Sequence, residues 1–383
     1  MSAPTNCSIL DQMRFFASPM MPYFLADAYF GLEPTVDGCE MPVVDSRPLF
    51  TPTISQMRCD CWEAANTNAT ALSRQQLAEA EAAVLQLPPW SKLYVQVNLF
   101  ALFVARLLPL LRGPTILLSG QWHLPSLTPL GDGRTMFEAV LSSEHVVRWW
   151  SQNPVPLPAG IPHAHKYRGL PYGISHLQLA SYAECWARAH AQPPNKTKEV
   201  YYSPFRSHGA RDVSDARARL VSLRQYASRG ATNNATNAST HSKRPLAYDV
   251  YCSRIAKARF VISPAGDRFE CYRHWEAIGL GTVPVCDCPL KYLQIVPGGM
   301  LIASSSAELV ELVQRPPLIH ARFSEQQREV GGLSMQAAAK AVLVRFWRRR
   351  VDADLPKNAR PVGVQSHDGP GEHIEWEEPS ATC

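Results

Sequence analysis

Apolar residues in this chain gather into short β-branched runs, and the stretches between them have helical composition with Pro and Gly at the joins. Residues 72–87 are dominated by Ala, Glu and Gln and stop at Pro88-Pro89, which predicts a helix. Strands are predicted at 93–97 and 115–119, with a buried helix over 98–111 between them. A helix centred on 137–141 and an apolar segment at 146–150 follow, then a helix over 175–191. After Pro193-Pro194 the pattern restarts: strand 198–202, helix 213–226, helix 248–258, strand 260–262, a helix, strand 282–285, strand 300–303 and helix 307–313. A long amphipathic helix is predicted over 336–351. Strand–helix–strand alternation of this kind predicts parallel sheets. The domain expectation is an irregular lead-in at 1–60, a first domain at 61–192, a second at 196–351 and a polar tail at 352–383. Residues 228–244 read as a polar surface insert.

The second domain is built around residues 259–288, read as strand, glycine loop, helix, strand. Phe260, Val261 and Ile262 form the first run, Pro264 and Gly266 break it, and the helix is expected to open near Asp267 with Glu270 in its first turn. Gly281 ends it before Thr282 to Val285. A loop entering a helix N-terminus presents unpaired N–H groups and partial positive charge, which suits a phosphate. Arg273 and Glu276, three apart, share a helix face beside that seat. A guanidinium suits a diphosphate, and a carboxylate accepts from neighbouring ribose hydroxyls. The alternative at this point is a surface ion pair.

At 383 residues, 46% hydrophobic and 19% charged, the chain has length for two globular domains. A net charge of +5 is far from the footprint of a nucleic-acid binder, and the run Arg345, Arg348, Arg349, Arg350 suits a helix C-terminus. The most apolar stretch, 98–111, is interrupted by Arg106 and Pro109 and is too short to cross a bilayer. Neither Cys59/Cys61 nor Cys286/Cys288 has a second half or a neighbouring histidine in sequence, so no metal site is expected. Asp352-Ala-Asp354 is the one D-x-D triplet and falls in the expected tail. Five N-x-[ST] sequons, at Asn6, Asn68, Asn195, Asn234 and Asn237, exceed the roughly one expected by chance and point to a secretory lumen. No signal peptide is evident, so a truncated N-terminus or a lost anchor is expected.

Ser263-Pro264, Gly266, Arg273, Trp275-Glu276-Ala277, Gly281 and Pro284-Val285 resemble the donor-binding segment of exostosin-like glycosyltransferases. The loop Ala265-Gly266-Asp267-Arg268 departs from the arginine, glycine, asparagine, glycine of many relatives. The resemblance implies an α/β, GT-B-like fold, two Rossmann-like parallel-sheet domains facing a central cleft. It implies an enzyme that moves a sugar from a nucleoside-diphosphate sugar to a glycan or glycoprotein acceptor, inverting and without metal or cofactor, in the Golgi lumen. Ser263, Gly266, Asp267, Arg273 and Glu276 are then the donor-binding residues, joined by Arg206, His208 and Arg211 from the loop after strand 198–202. That loop reads equally well as a solvated basic loop. His123, a few residues beyond strand 115–119, is the candidate base, with Glu138 and Glu144 behind it. The alternatives are a fucosyltransferase-like enzyme using a GDP-sugar, and a non-catalytic nucleotide- or glycan-binding member of the fold.

Overall fold

The protein is described here from a computed structural model, over residues 15–18, 21–30, 74–96, 99–120, 133–175, 178–203, 215–223, 246–266, 269–330 and 334–359. The insert 228–244 and the chain beyond 359 lie outside the described residues. The chain divides into two compact units, residues 19–170 with 347–366, and residues 1–18 with 171–346 and 367–383.

The first unit holds a parallel sheet of β1 (Ala28–Phe30), β2 (Ser91–Gln96), β3 (Thr115–Gly120), β4 (Val146–Gln152) and β5 (Tyr167–Leu170), in that spatial order. Every residue of β3 is buried, as a central parallel strand requires. Trp149 anchors the core: it stacks on Phe100 at 4.9 Å and donates from Nε1 to Ser119 Oγ at 2.8 Å. The helices are α1 (Met21–Leu25), α2 (Arg74–Leu85) and α3 (Gly133–Ser142). The single helix expected over 98–111 is instead an α turn, a π turn over Phe103–Leu107 and a 3-10 turn over Leu108–Leu110. Pro109 has no N–H to continue an α ladder, so the winding changes before it.

The other unit holds β6 (Lys198–Tyr201), β7 (Ala258–Ile262), β8 (Val283–Cys286) and β9 (Leu301–Ile302), again parallel and in order. Phe260, Ile262, Val283, Val285 and Leu309 form its core. Around it lie α4 (Leu179–Ala191), α5 (Ala216–Ser222), α6 (Tyr248–Ala256), α7 (Tyr272–Gly279), α8 (Ser306–Gln314) and α9 (Pro317–Val330). The expected α/β class with two parallel-sheet domains is what the fold shows.

Several details differ from expectation. The division falls at Leu170/Pro171 rather than at 192–196, because α4 buries Tyr182, Ala183, Cys185 and Trp186 and packs on α6. The lead-in supplies the edge strand β1, whose Asp27 accepts from the Lys92 N–H at 2.9 Å. Pro317 opens α9, as suits proline in a first helical turn. The long helix over 336–351 is interrupted at Leu343, which turns extended and bridges Phe16, before α10 (Val344–Asp352) begins.

The tail does not begin at 352. Asp352, 2% exposed, accepts from Lys92 Nζ at 2.8 Å, and Asp354 accepts from Arg148 Nε and Trp150 Nε1 at 3.0 and 2.7 Å. The D-x-D triplet is therefore a fastening of α10 to the first sheet. The basic run is used the same way: Arg348 donates to the Phe24 carbonyl and Arg350 lies over the Trp347 ring.

Candidate functional site

Residues leaving β7 are pinned before they reach a helix. Ser263 N–H donates to the Val285 carbonyl at 2.9 Å, extending the ladder by one step. The Ala265 N–H donates to Asp287 Oδ1 at 2.8 Å, so the segment after β8 holds the loop after β7. Asp287 Oδ2 is buried with no hydrogen-bond partner among the described residues.

The helix opens later than its sequence suggests. Cys271 is the N-cap of α7, not Asp267. A reciprocal box closes the end: the Cys271 side chain takes the N–H of His274, and His274 Nδ1 takes the N–H of Cys271 at 3.1 Å. Two of the backbone donors assigned to an anion by the sequence reading are thus already engaged. Glu270 precedes the cap and is buried, accepting from Trp275 Nε1 at 2.6 Å. His274, fully buried, directs Nε2 at the Ser263 carbonyl at 2.7 Å. In this geometry Nδ1 accepts and Nε2 faces the carbonyl as donor.

A guanidinium packs against the backbone of Gly266. A Cβ there would stand 2.1 Å from Nη2 of Arg217, which reaches the loop from α5. Arg217 Nε is buried without a hydrogen-bond partner among the described residues. The sequence candidates for a donor arginine, at 206–211, lie outside the described residues, and Arg217 on the next helix was not among them.

Arg273 and Glu276 do not form a surface ion pair. Glu276 is 5% exposed, and its two oxygens accept from two tyrosines of α6, Oε1 from Tyr248 and Oε2 from Tyr251, each at 2.7 Å. Burial pushes the carboxyl above its usual range, and the tyrosine hydrogen bonds and the Arg273 charge oppose that shift. Both phenols are held well above their ordinary value by burial, with the Glu276 charge adding to it. Arg273 also acts electrostatically on Tyr201 at the end of β6 and on Cys271, so it stands among β6, α6 and the start of α7. Spacing placed Arg273 and Glu276 on one face; nothing in it indicated the tyrosines.

The remaining sequence candidates fare differently. Asp267, Arg206, His208, Arg211 and His123 lie outside the described residues. Glu138 pairs with Arg134 on α3, and Glu144 is exposed beside His145.

Folding corrects the view that no histidine stands near the Cys286/Cys288 pair. His274, Cys286 and Cys288 have ligand atoms within 4.8 Å of one another, all buried. The group fits a metal poorly. His274 Nδ1 already takes a backbone N–H, and Cys286 and Cys288 point their thiols at the Leu301 and Phe269 carbonyls. A closed zinc site needs four ligands free to turn inward.

No known protein family matches the chain, and no curated sequence does. Among solved structures the chain is similar to a UDP-forming α,α-trehalose-phosphate synthase from Burkholderia xenovorans, at 13% identity and a TM-score of 0.37, over 76% of this chain and 81% of that one. It is also similar to the glycotransferase of kitacinnamycin, at 13% identity and a TM-score of 0.33, over 81% of this chain and 87% of that one. Likenesses at this level assign no donor, acceptor or residue role.

Proposed function

We propose that this chain is a GT-B glycosyltransferase of exostosin-like type, binding a nucleoside-diphosphate sugar at the loop between β7 and α7. The observation that carries the reading is the Arg217 guanidinium lying against the bare backbone of Gly266. A side chain there would displace the cation, and a diphosphate is the ligand that two arginines, Arg217 and Arg273, suit best. Ser263 and Glu276 support the reading through the motif they share with that family, Glu276 accepting from the ribose with the lone pairs its tyrosines leave open.

Under this reading the arginines stabilise charge as it grows on the leaving diphosphate, and no divalent ion is required. The acceptor, a glycan or glycoprotein, gives its hydroxyl proton to a base for which His123 is the candidate, and the outcome is inversion. The five sequons support a secretory lumen, such as the Golgi, as the compartment. Asp267, Arg206, His208 and Arg211 complete the donor contacts proposed.

A panel of nucleoside diphosphates in a thermal-shift assay, followed by release of the same diphosphate from its sugar donor, tests the proposal. A ligand at a hundred times its dissociation constant adds about 2.7 kcal/mol to stability. Binding with no release identifies a non-catalytic member of the fold; no binding by any diphosphate ends the reading.

A further inference from the structure

Cys185 and Cys252 belong to no part of the site described above, yet they meet. Cys185 projects from α4 and Cys252 from α6, sixty-seven positions apart by number (252 − 185), and both line one groove where the two helices pack. Both are buried, 5% and 1% exposed, in the seam between their helices. The seam is not sealed. Both cysteines line a surface groove together with Arg188, Gln192, Asp249 and Lys257. Arg188 Nη2 stands 3.4 Å from Cys185 Sγ, the contact that favours a thiolate there. Among the described cysteines, Cys286 and Cys288 also lie close together, but they are buried facing carbonyls and line no groove described here, and Cys271 caps α7.

We propose that Cys185 and Cys252 are a dithiol–disulfide pair, closed by a low-molecular-weight disulfide and joining α4 to α6. Cys185, as the thiolate beside Arg188, attacks one sulfur of the oxidant, whose other half leaves as a thiolate and takes up the proton that Cys185 lost. Cys252 loses its proton and attacks Cys185 Sγ in the mixed disulfide, and the second half of the oxidant leaves as thiol. Two protein thiols are oxidised, one disulfide oxidant is reduced to two thiols, and the protons balance. Closure would fix the helix that carries Tyr248 and Tyr251, and so the hold on Glu276.

The test uses the full chain, oxidised with excess glutathione disulfide, blocked with iodoacetamide, digested without reduction and mapped by mass spectrometry. The expected product is a linked pair of peptides containing Cys185 and Cys252, abolished by dithiothreitol. The thermal midpoint of the oxidised protein should stand roughly 5–10 °C above that of the reduced one, a gain absent from Cys185→Ala. Recovery of both cysteines unlinked after oxidation overturns the proposal, as does linkage of either one to a different cysteine. The mapping is done on unaltered protein, so a variant that fails to fold leaves the result intact.

Discussion

Tyr251 donates its phenolic hydrogen to Oε2 of Glu276 at 2.7 Å, and Tyr248, three residues earlier on the same helix, does the same to Oε1. The carboxylate therefore links α6 to α7, and its replacement tests two roles separately. Removing one phenol leaves a buried charge short of a partner, so Tyr251→Phe should cost about 1.5–3 kcal/mol in a denaturant melt. Glu276→Gln should weaken nucleoside diphosphate binding by about 1.5–3 kcal/mol, roughly ten- to a hundredfold, measured by titration calorimetry on folded protein. Unchanged affinity in folded Glu276→Gln would restrict the residue to the helix contact.

The same carboxyl gives a pH signature. Its folded-state affinity for a proton is raised above the usual 4.5 by burial. Just above pH 4.5 the folded protein then binds more protons than the unfolded chain, and stability falls as pH rises through that window. Wild type minus Glu276→Gln in parallel melts should show this downward slope; a flat difference rejects it.

Gly266 and Arg217 make a pair suited to a double-mutant cycle. An added Cβ meets only the far end of a flexible side chain, so Gly266→Ala should change stability by within about 1 kcal/mol while pushing the guanidinium away. Diphosphate affinity should fall roughly tenfold in Gly266→Ala and in Arg217→Ala, with little further loss in the double variant. Full additivity would show that the two act independently. Arg273→Ala should lower turnover more than binding, because charge on the leaving diphosphate grows in the transition state.

Asp352 separates a structural carboxylate from a metal ligand. It pairs with the buried Lys92 Nζ at 2.8 Å, and breaking such a pair leaves an uncompensated charge. Asp352→Asn should cost about 3–5 kcal/mol of stability. Turnover by the wild-type enzyme is expected to survive a chelator; loss of turnover restored by a divalent ion would reverse the proposed mechanism.

Lys196 donates to the Ala256 carbonyl at 2.9 Å and to Thr282 Oγ1 at 3.0 Å, and burial lowers its pKa to about 8 from 10.5. Between those values the unfolded chain binds the extra proton, so stability rises with pH from about 8 to 10.5. Melts across that range should show wild type gaining on Lys196→Met; a constant gap would mean that the ammonium stays solvated.

Local chemistry in the sequence was enough to specify where β2, β3, β7 and β8 run, that α7 ends by Gly281, and that two parallel α/β units follow one another. Those features depend on β-branched runs, prolines and glycines, whose preferences act within a few residues. Gly281 adopts φ +68°, a conformation open to glycine and costly for others. Only the tertiary structure decided what each polar side chain does. Lys92 finds Asp352 at a separation of 260 residues, Glu276 is enclosed by Tyr248 and Tyr251, and Arg217 reaches Gly266. The physical reason is burial. Glu276 reads in sequence as a solvent-facing helix residue, and removing its charge from water forces it to find donors wherever the packing brings them. The sequence does not encode those partners by spacing, because β7 and its loop separate α6 from α7 along the chain and only the packing brings the two helices together.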